Sequence, residues 1–230
     1  MKLEFTTTAC NRPGVLEMTY RSYTSRLKNI DFSNSTLYIN VDPAPNSNNI
    51  LYIKTIAEKY FGTVICNFPK EPNFAAAVLW CFNQVKEDMF FHLEDDWILM
   101  RDVDINKMVK SLGKNNIQCI LNKSSKYMSR KEAGEPALMP SLFSKKYVDK
   151  YVALMNNSKN PEAQMKYIFR KNTDELRKHR SVLFGSRCEY SKDIGRQWLR
   201  KNGLRREYEK TSNSNSKRKW SPWVTWVRGR

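Results

Sequence analysis

The residues best suited to chemistry lie in one short stretch, Met89-Phe90-Phe91-His92-Leu93-Glu94-Asp95-Asp96-Trp97. An apolar run stops there at three consecutive carboxylates and a large aromatic ring. Three adjacent anions repel one another, so water or a bound cation must compensate them. At the C-terminal end of a buried strand in an open α/β sheet, a ligand site is expected. A hard divalent cation carrying a diphosphate is one reason for such a cluster. A solvated acidic turn is the other, and the triplet alone does not choose between them.

The choice rests on the elements that would position the triplet. Lys2 to Thr8, rich in Phe and Thr, reads as a strand broken by Asn11-Arg12-Pro13-Gly14. Pro13 can open a helix, because its missing N–H costs nothing in the first turn. Leu16, Tyr20, Tyr23 and Leu27 then recur at helical spacing. Thr36 to Val41 is a second strand ending at Asp42, before the loop Pro43-Ala44-Pro45-Asn46. Ile50, Ile53, Ala57 and Tyr60 mark an amphipathic helix, Gly62 to Cys66 a short strand, and Phe74 to Lys86 an apolar helix led by Asn73. Strand and helix alternating in this way predict a mostly parallel sheet with helices on its faces.

Beyond Trp97 the pattern predicts a helix over Ile105 to Leu112 and a strand over Ile117 to Asn122. A polar, basic loop follows from Ser124 to Pro140. Helices are expected over Lys145 to Met155 and from Asn160 to about Lys178, then a strand over Ser181 to Phe184 and a basic helix over Ile194 to Asn202. The expected organisation is one domain over residues 1–210, with a basic, Trp-rich tail over 211–230. The low-complexity run Ser212 to Ser216 at the start of that tail should be flexible.

Composition narrows the class. With 230 residues, 40% hydrophobic and 27% charged, the chain is long enough for one well-packed domain. Its longest uncharged apolar run, Phe74 to Asn83, is about half a membrane span. No positively charged start followed by an apolar segment is read as a secretory signal. Five scattered cysteines without a C-x-x-C pair give neither a zinc site nor a disulfide framework, and fit a reduced, cytoplasmic setting.

Landmarks in this order resemble the nucleotide-sugar-binding half of GT-A glycosyltransferases, in a family-2-like form. They are Thr8 to Pro13 (T-x-x-N-R-P), Asp42 closing the second strand, Asn73 leading an Ala-rich helix, and Glu94-Asp95-Asp96 as a variant of the DxD motif. The resemblance covers residues 3–100 well and 135–200 loosely. It implies a UDP-sugar donor and Mn2+ or Mg2+, with Asp96 as the metal ligand. It further implies Glu94 facing the ribose or uracil, Asp95 helping to position the site, and Asp42 accepting from the uracil N–H or ribose. Thr8, Arg12 and Asn73 would flank the nucleotide. Asp42 also reads as an ordinary strand-ending turn residue, and Arg12 as a surface ion pair.

For the base of an inverting reaction the resemblance points to Glu162, in N-P-E-A-Q-M, with Asp193, in K-D-I-G-R-Q-W, as rival. An acid in a first helical turn is equally good capping electrostatics. Many GT-A enzymes add a C-terminal histidine to the metal. Here Phe184 to Tyr190 contains none, His179 lies a little earlier, and His92 reads as a packed core residue.

The acceptor is argued from charge. Residues 1–115 carry 13 Lys+Arg and 13 Asp+Glu, whereas residues 116–230 carry 27 and 10, so the whole excess of +17 sits in the second half. Such asymmetry points to a polyanionic partner met by that half. Lys123, Lys126, Arg130 and Lys131 lie in the acceptor-side loop, and Arg196, Arg200, Lys201, Arg205 and Arg206 form a second cluster. The tail adds Lys217, Arg218, Lys219, Trp220, Trp223 and Trp226. Cations interleaved with indoles suit phosphate contact and base stacking. They also suit an anionic membrane surface, and indoles can simply pack back on the domain. Charge spread around the acceptor side favours DNA, with a hydroxymethylated pyrimidine as the glycosylated base, as in bacteriophage enzymes that decorate their genomes. The alternatives are transfer to a lipid-linked or surface glycan at the cytoplasmic membrane face, and a non-catalytic nucleic-acid-binding protein.

Overall fold

Phe90 and Phe91 are neighbours in sequence and both fully buried, yet they pack in different cores. Successive side chains of a strand point to opposite faces of the sheet. The alternation repeats in the neighbouring strand, where Leu37 and Ile39 join one core and Tyr38 the other. A strand apolar on both faces must be covered on both faces. The computed structural model describes residues 1–44, 50–123, 134–171, 176–185, 188–207 and 225–228.

In chain order the elements are β1 (Glu4–Cys10), α1 (Pro13–Arg26), β2 (Leu27–Lys28), β3 (Thr36–Asp42), α2 (Ile50–Glu58), β4 (Thr63–Asn67), α3 (Phe74–Gln84) and β5 (Met89–Glu94). There follow β6 (Trp97–Leu99), β7 (Val103–Asp104), α4 (Ile105–Leu112), β8 (Gln118–Leu121), β9 (Ser141–Ser144), α5 (Lys145–Val152) and α6 (Pro161–Lys171). The last are β10 (Ser181–Phe184), β11 (Ser191–Asp193), α7 (Gly195–Lys201), β12 (Leu204–Glu207) and β13 (Thr225–Arg228).

The described residues form a seven-stranded sheet in the order β10-β8-β9-β5-β1-β3-β4. β1 pairs in parallel with both β3 and β5, β3 with β4, and β8 with β10; β9 alone runs antiparallel, against β5 and β8. Residues of α1, α2 and α4 share one core with Phe5, Ile39, Phe91 and Leu93. Residues of α3, α5 and α6 share the other with Tyr38, Phe90 and Phe143. Helices on both faces of a mostly parallel sheet make the expected α/β architecture.

The chain leaves β1 to build β3 and β4 on one side, then crosses back to lay β5 on the other. That reversal opens a crevice at the carboxyl ends of the central strands. Buried Glu4 fixes the return: its carboxylate accepts from Tyr38 Oη (3.0 Å) and from the backbone N–H of Lys86 (2.7 Å) and Glu87 (2.9 Å), where α3 gives way to β5.

The structure adds short strands the sequence reading did not predict, β2, β6, β7, β11 and β12 among them, and differs in further details. β9, which seats Phe143 opposite Phe90, was not predicted, because four residues after Pro140 carry no resolvable alternation. α5 ends at Val152 and α6 at Lys171, both short of the expected bounds. The tail's Thr225–Arg228 returns as a strand beside Leu204–Glu207.

Candidate active site

β1, β3 and β5 end together, so Thr8, Cys10, Asp42 and Glu94 meet at one edge of the sheet, followed by Asp95 and Asp96 in the turn to β6. They line a small cavity of about 100 Å³ that Phe74 of α3 also borders. A larger hollow, about 690 Å³, lies along α6 among Leu154, Asn156, Lys159, Tyr167 and Lys171. Its lining contains no carboxylate, so the smaller hollow at the strand ends is the one fitted for the chemistry argued from the triplet.

The three acids take three different environments. Glu94, the last residue of β5, is only half-buried. Asp95 is 3% exposed and turned into the protein. Its backbone N–H donates to Thr8 O (3.2 Å), its carbonyl accepts from Thr19 Oγ1 (2.7 Å), and its carboxylate accepts from Cys10 N (3.1 Å). Arg12 closes the arrangement, donating Nη2 to Asp95 Oδ1 (2.5 Å) and Nε to Asp95 Oδ2 (3.1 Å), a two-point charge-assisted pair. The same Nη2 reaches Asp96 Oδ2 at 3.2 Å.

Arg12, read from sequence as a donor contact or a surface ion pair, is 3% exposed and holds the two aspartates from behind. Burial opposes its charge, but the nearby negative groups, Asp95 above all, outweigh that and hold the guanidinium above its ordinary range. Its Cζ also lies 5.4 Å from the centre of the Trp198 ring on α7. Burial pushes the neighbouring Cys10 thiol up to about 12, leaving it a neutral wall of the cavity.

Asp96 is packed from the far side of the chain. Its carbonyl accepts from Ile194 N (2.8 Å), and Gly195 lies so close that an added Cβ would sit 2.0 Å from Asp96 Oδ2. Only a residue without a side chain allows this approach. Gly195 and Trp198 were missed in the sequence, where they look like an ordinary helix start and an amphipathic aromatic. The run Asp193-Ile194-Gly195 between a strand and a helix was the available signal.

Asp42 faces the cavity from β3. Its Oδ1 accepts from Asn40 Nδ2 (2.8 Å) and its Oδ2 from Asn73 N (3.1 Å), while Asn67 Nδ2 donates to Asn40 Oδ1 (2.6 Å). Burial pushes its pKa up to about 6 against the lowering by these hydrogen bonds. Asn73 caps α3 by accepting from Ala76 N (3.0 Å), and its Nδ2 donates to Asn157 O (3.1 Å). Thr8 Oγ1 is buried without a hydrogen-bond partner among the described residues, at the cavity wall.

The two candidate bases part company. Asp193 pairs across β11 and β6 with Trp97, the residue after Asp96, and its Oδ1 accepts from Gly195 N (2.8 Å). It also meets Arg196 Nε at 3.5 Å. Glu162 instead pairs with Lys166 Nζ (2.5 Å) one turn along α6; neither acid lines the cavity at the strand ends, and only Asp193 is joined to the turn that carries Asp96. His92 is fully buried, with Thr6 Oγ1 2.9 Å from its Nδ1, and burial lowers its pKa to about 3. His179 stacks on Tyr147, with Nδ1 2.7 Å from Asn115 O.

Of the basic residues, Lys123, Arg196, Arg200 and Lys201 are exposed, and Arg205, Arg206 and Trp226 lie in β12 and β13. Lys126, Arg130, Lys131, Lys217, Arg218, Lys219, Trp220 and Trp223 fall outside the described residues. Among the described residues no three His, Cys, Asp or Glu side chains converge as a ready-made metal cage. The donors present, Asp96 with Glu94 beside it, are hard oxygen ligands. That set fits Mg2+ or Mn2+ held by one or two carboxylates and otherwise by substrate oxygens and water.

No family model matches the chain, and no curated protein matches it in sequence. Solved structures do match. S. aureus TarS, residues 1–349, superposes with a TM-score of 0.60 at 9% identity, covering 84% of this chain and 60% of that one. The mannosyltransferase PcManGT from Pyrobaculum calidifontis, in complex with GDP-Man and Mn2+, gives 0.60 at 9% identity, over 80% and 55%. HddC from Yersinia pseudotuberculosis gives 0.50 at 13% identity, over 84% and 94%. The chain thus spans little more than half the length of the first two. The seven-strand order, the single antiparallel strand and these superpositions establish that the chain has the GT-A glycosyltransferase fold.

Proposed function

We propose that the protein transfers a sugar from a nucleoside-diphosphate sugar, a UDP-sugar first of all, to a hydroxyl on a polyanionic acceptor. A hydroxymethylated pyrimidine in DNA is the acceptor its charge fits best. The observation carrying this reading is the setting of Asp96, a buried carboxylate held by Arg12, backed by Gly195 and bordering the same cavity as Asp42. Asp96, with Glu94, would hold Mn2+ or Mg2+. When bound, such a cation offsets the charge that develops on the departing diphosphate. The fold relatives support the donor class: TarS has been solved with UDP-GlcNAc, and PcManGT with GDP-Man and Mn2+.

The chain's own residues supply the rest. Asp42 accepts from an N–H of the base or from the ribose, and Thr8 Oγ1 has hydrogen-bonding capacity to spend on the nucleotide. Arg12 positions Asp95 and Asp96. Asp193, beside Trp97 and Gly195, is the better placed base. It takes the proton of the acceptor hydroxyl as the new bond to the anomeric carbon forms and the bond to the diphosphate breaks, which inverts that carbon.

The test is nucleotide release from a panel of UDP- and GDP-sugars with Mn2+, followed by the mass of nucleosides from hydroxymethylpyrimidine DNA. One donor should be turned over, and Asp96→Asn should abolish it. No turnover of any donor sinks the reading. Turnover that adds mass only to a lipid-linked glycan removes DNA as the acceptor.

A further inference from the structure

The larger hollow, along α6, takes no part in the donor chemistry. Its volume of about 690 Å³ is within the range of ligand pockets. Lys159, Ala163, Tyr167 and Lys171 line it at intervals of four residues, and residues four apart share one side of a helix. All four are exposed, Tyr167 at 63%. α6 is eleven residues long and spans about 16 Å. Lys159 lies just ahead of its first turn and Lys171 at its last residue, with the aromatic ring rooted between them.

The hollow has a fixed wall. Gln164, 9% exposed, ties down the loop before α6: its Oε1 accepts from Asn156 N (2.9 Å), and its Nε2 donates to Asn156 O (2.8 Å) and Lys159 O (2.7 Å). The same loop is joined to the donor site through one residue. Asn73 Nδ2 donates to Asn157 O (3.1 Å), while Asn73 N donates to Asp42 Oδ2 (3.1 Å). Two further cations of α6 are engaged elsewhere, Lys166 by Glu162 and Arg170 by both carboxylate oxygens of Glu135. Lys159 and Lys171 make no ion pair among the described residues. The two cations that line the hollow are therefore the two left to meet an anion.

We infer that this hollow binds an unpaired stretch of nucleic acid, with backbone phosphates at Lys159 and Lys171 and a base on the ring of Tyr167. Cation, aromatic and cation follow the order in which a single strand presents phosphate, base and phosphate. A lipid is the poorer occupant. An acyl chain leaves water only along a continuous apolar track, and here a lysine closes the stripe at each end. The hollow's role as an acceptor subsite rests on the function proposed above; the binding of the strand does not.

The probe is a fluorescein-labelled oligothymidylate of about 12 bases, titrated with the full chain by anisotropy at several salt concentrations, with phosphatidylserine vesicles as the rival surface. Each phosphate contact with a single strand contributes about 0.7 to the slope of log K against log salt. Lys159→Gln/Lys171→Gln should therefore flatten that slope by about 1.4. Tyr167→Ala should keep the slope and weaken binding about fivefold or more, the loss of one stacked base. Lys166→Gln, on the same helix but paired with Glu162, should leave the slope as it is. An unchanged slope in the double-lysine variant overturns the inference, and so does a Tyr167→Ala protein that binds as tightly as the unmodified one. Vesicle binding that falls in these variants while strand binding holds overturns it too, in favour of a lipid surface. If the variants bind the strand more weakly and the unmodified protein turns over no donor, the hollow stands and the proposed function falls. If donor is turned over and strand binding is unaltered, the hollow falls and the proposed function stands.

Discussion

Gly195→Ala tests the geometry around Asp96 with one methyl group. Gly195 is the first residue of α7, and in a helix alanine is ordinarily the more stable residue by roughly 0.5–1 kcal/mol. Here the added Cβ would lie 2.0 Å from Asp96 Oδ2, 2.7 Å from its Cγ and 3.0 Å from its Cβ. Comfortable carbon contacts begin near 3.5 Å, so something must retreat by more than about 1 Å. Neither side gives easily: Asp96 Oδ2 is engaged by Arg12, and Asp96 O accepts from Ile194 N just ahead of the helix. Forced overpacking costs about 1–3 kcal/mol, which reverses the sign expected of a helical Gly→Ala change. A displacement of about 1 Å in a positioned group costs on the order of 100-fold in rate. Urea unfolding should show a less stable protein. Donor turnover should fall about 100-fold, with the Mn2+ titration moved to higher concentration. Gln197→Ala, exposed on the same helix, should do neither. A Gly195→Ala protein that is more stable and turns over donor at the unmodified rate would refute the packing of α7 on Asp96.

Arg12→Ala leaves Asp95 buried without its cation and should cost about 3–5 kcal/mol in urea unfolding; a loss below about 1 kcal/mol would mean the pair is solvated. Arg12→Lys should recover only part of that, since an ammonium cannot reproduce the two-point contact. Asp42 titrates near 6 in the folded protein against 3.8 in the unfolded chain, so its protonation favours folding. That contribution is full below about pH 4 and is lost as pH rises through 6. The stability of the unmodified protein relative to Asp42→Asn should therefore fall by roughly 2.5 kcal/mol between pH 4 and 7, and a pH-independent difference would refute it. Asp193→Asn should lower transfer by roughly 10²–10⁴-fold and remove the limb of the pH–rate profile assigned to a base. Glu162→Gln, which breaks only a half-buried pair with Lys166, should leave that limb in place; the reverse outcome would exchange their roles.

The first half was legible because its signals are local. Strands apolar on both faces, Pro13 at a helix start and Asn73 at another each speak through their immediate neighbours. The second half was read less well because its decisive features are pairings. β9 is four residues long and is a strand only because Phe143 has Phe90 beside it and Gln118 on the other side. Asp193 gains its place from β6, through a two-stranded pairing with Trp97 that no periodicity announces. Arg12 and Asp95 are 83 residues apart, and whether a charge at a strand end faces water or a partner depends on what the fold brings to it. Gly195 is the extreme case, since its significance lies wholly in the carboxylate it leaves room for.

The acidic triplet can now be taken apart by the physics that made it conspicuous. Three carboxylates in a row cannot all be buried as anions without compensation. The fold answers by treating them separately. Glu94 keeps partial access to solvent, Asp95 is buried with backbone and hydroxyl partners around it, and Arg12 places one positive charge between Asp95 and Asp96. Summed over these four side chains alone, the formal balance is two negative charges, the number a divalent cation offsets. Arg12 therefore does more than hold the turn. Without it the three carboxylates would lose the guanidinium between Asp95 and Asp96, and the balance among them would grow by one negative charge. With a second guanidinium there, the balance over these side chains would fall to one negative charge, and the attraction for a divalent ion would weaken. The prediction from Arg12→Ala is consequently double: a destabilised fold, and at equal folded fraction a Mn2+ titration altered in both steepness and midpoint. A variant that loses stability but titrates with Mn2+ as before would show that Arg12 serves the turn alone.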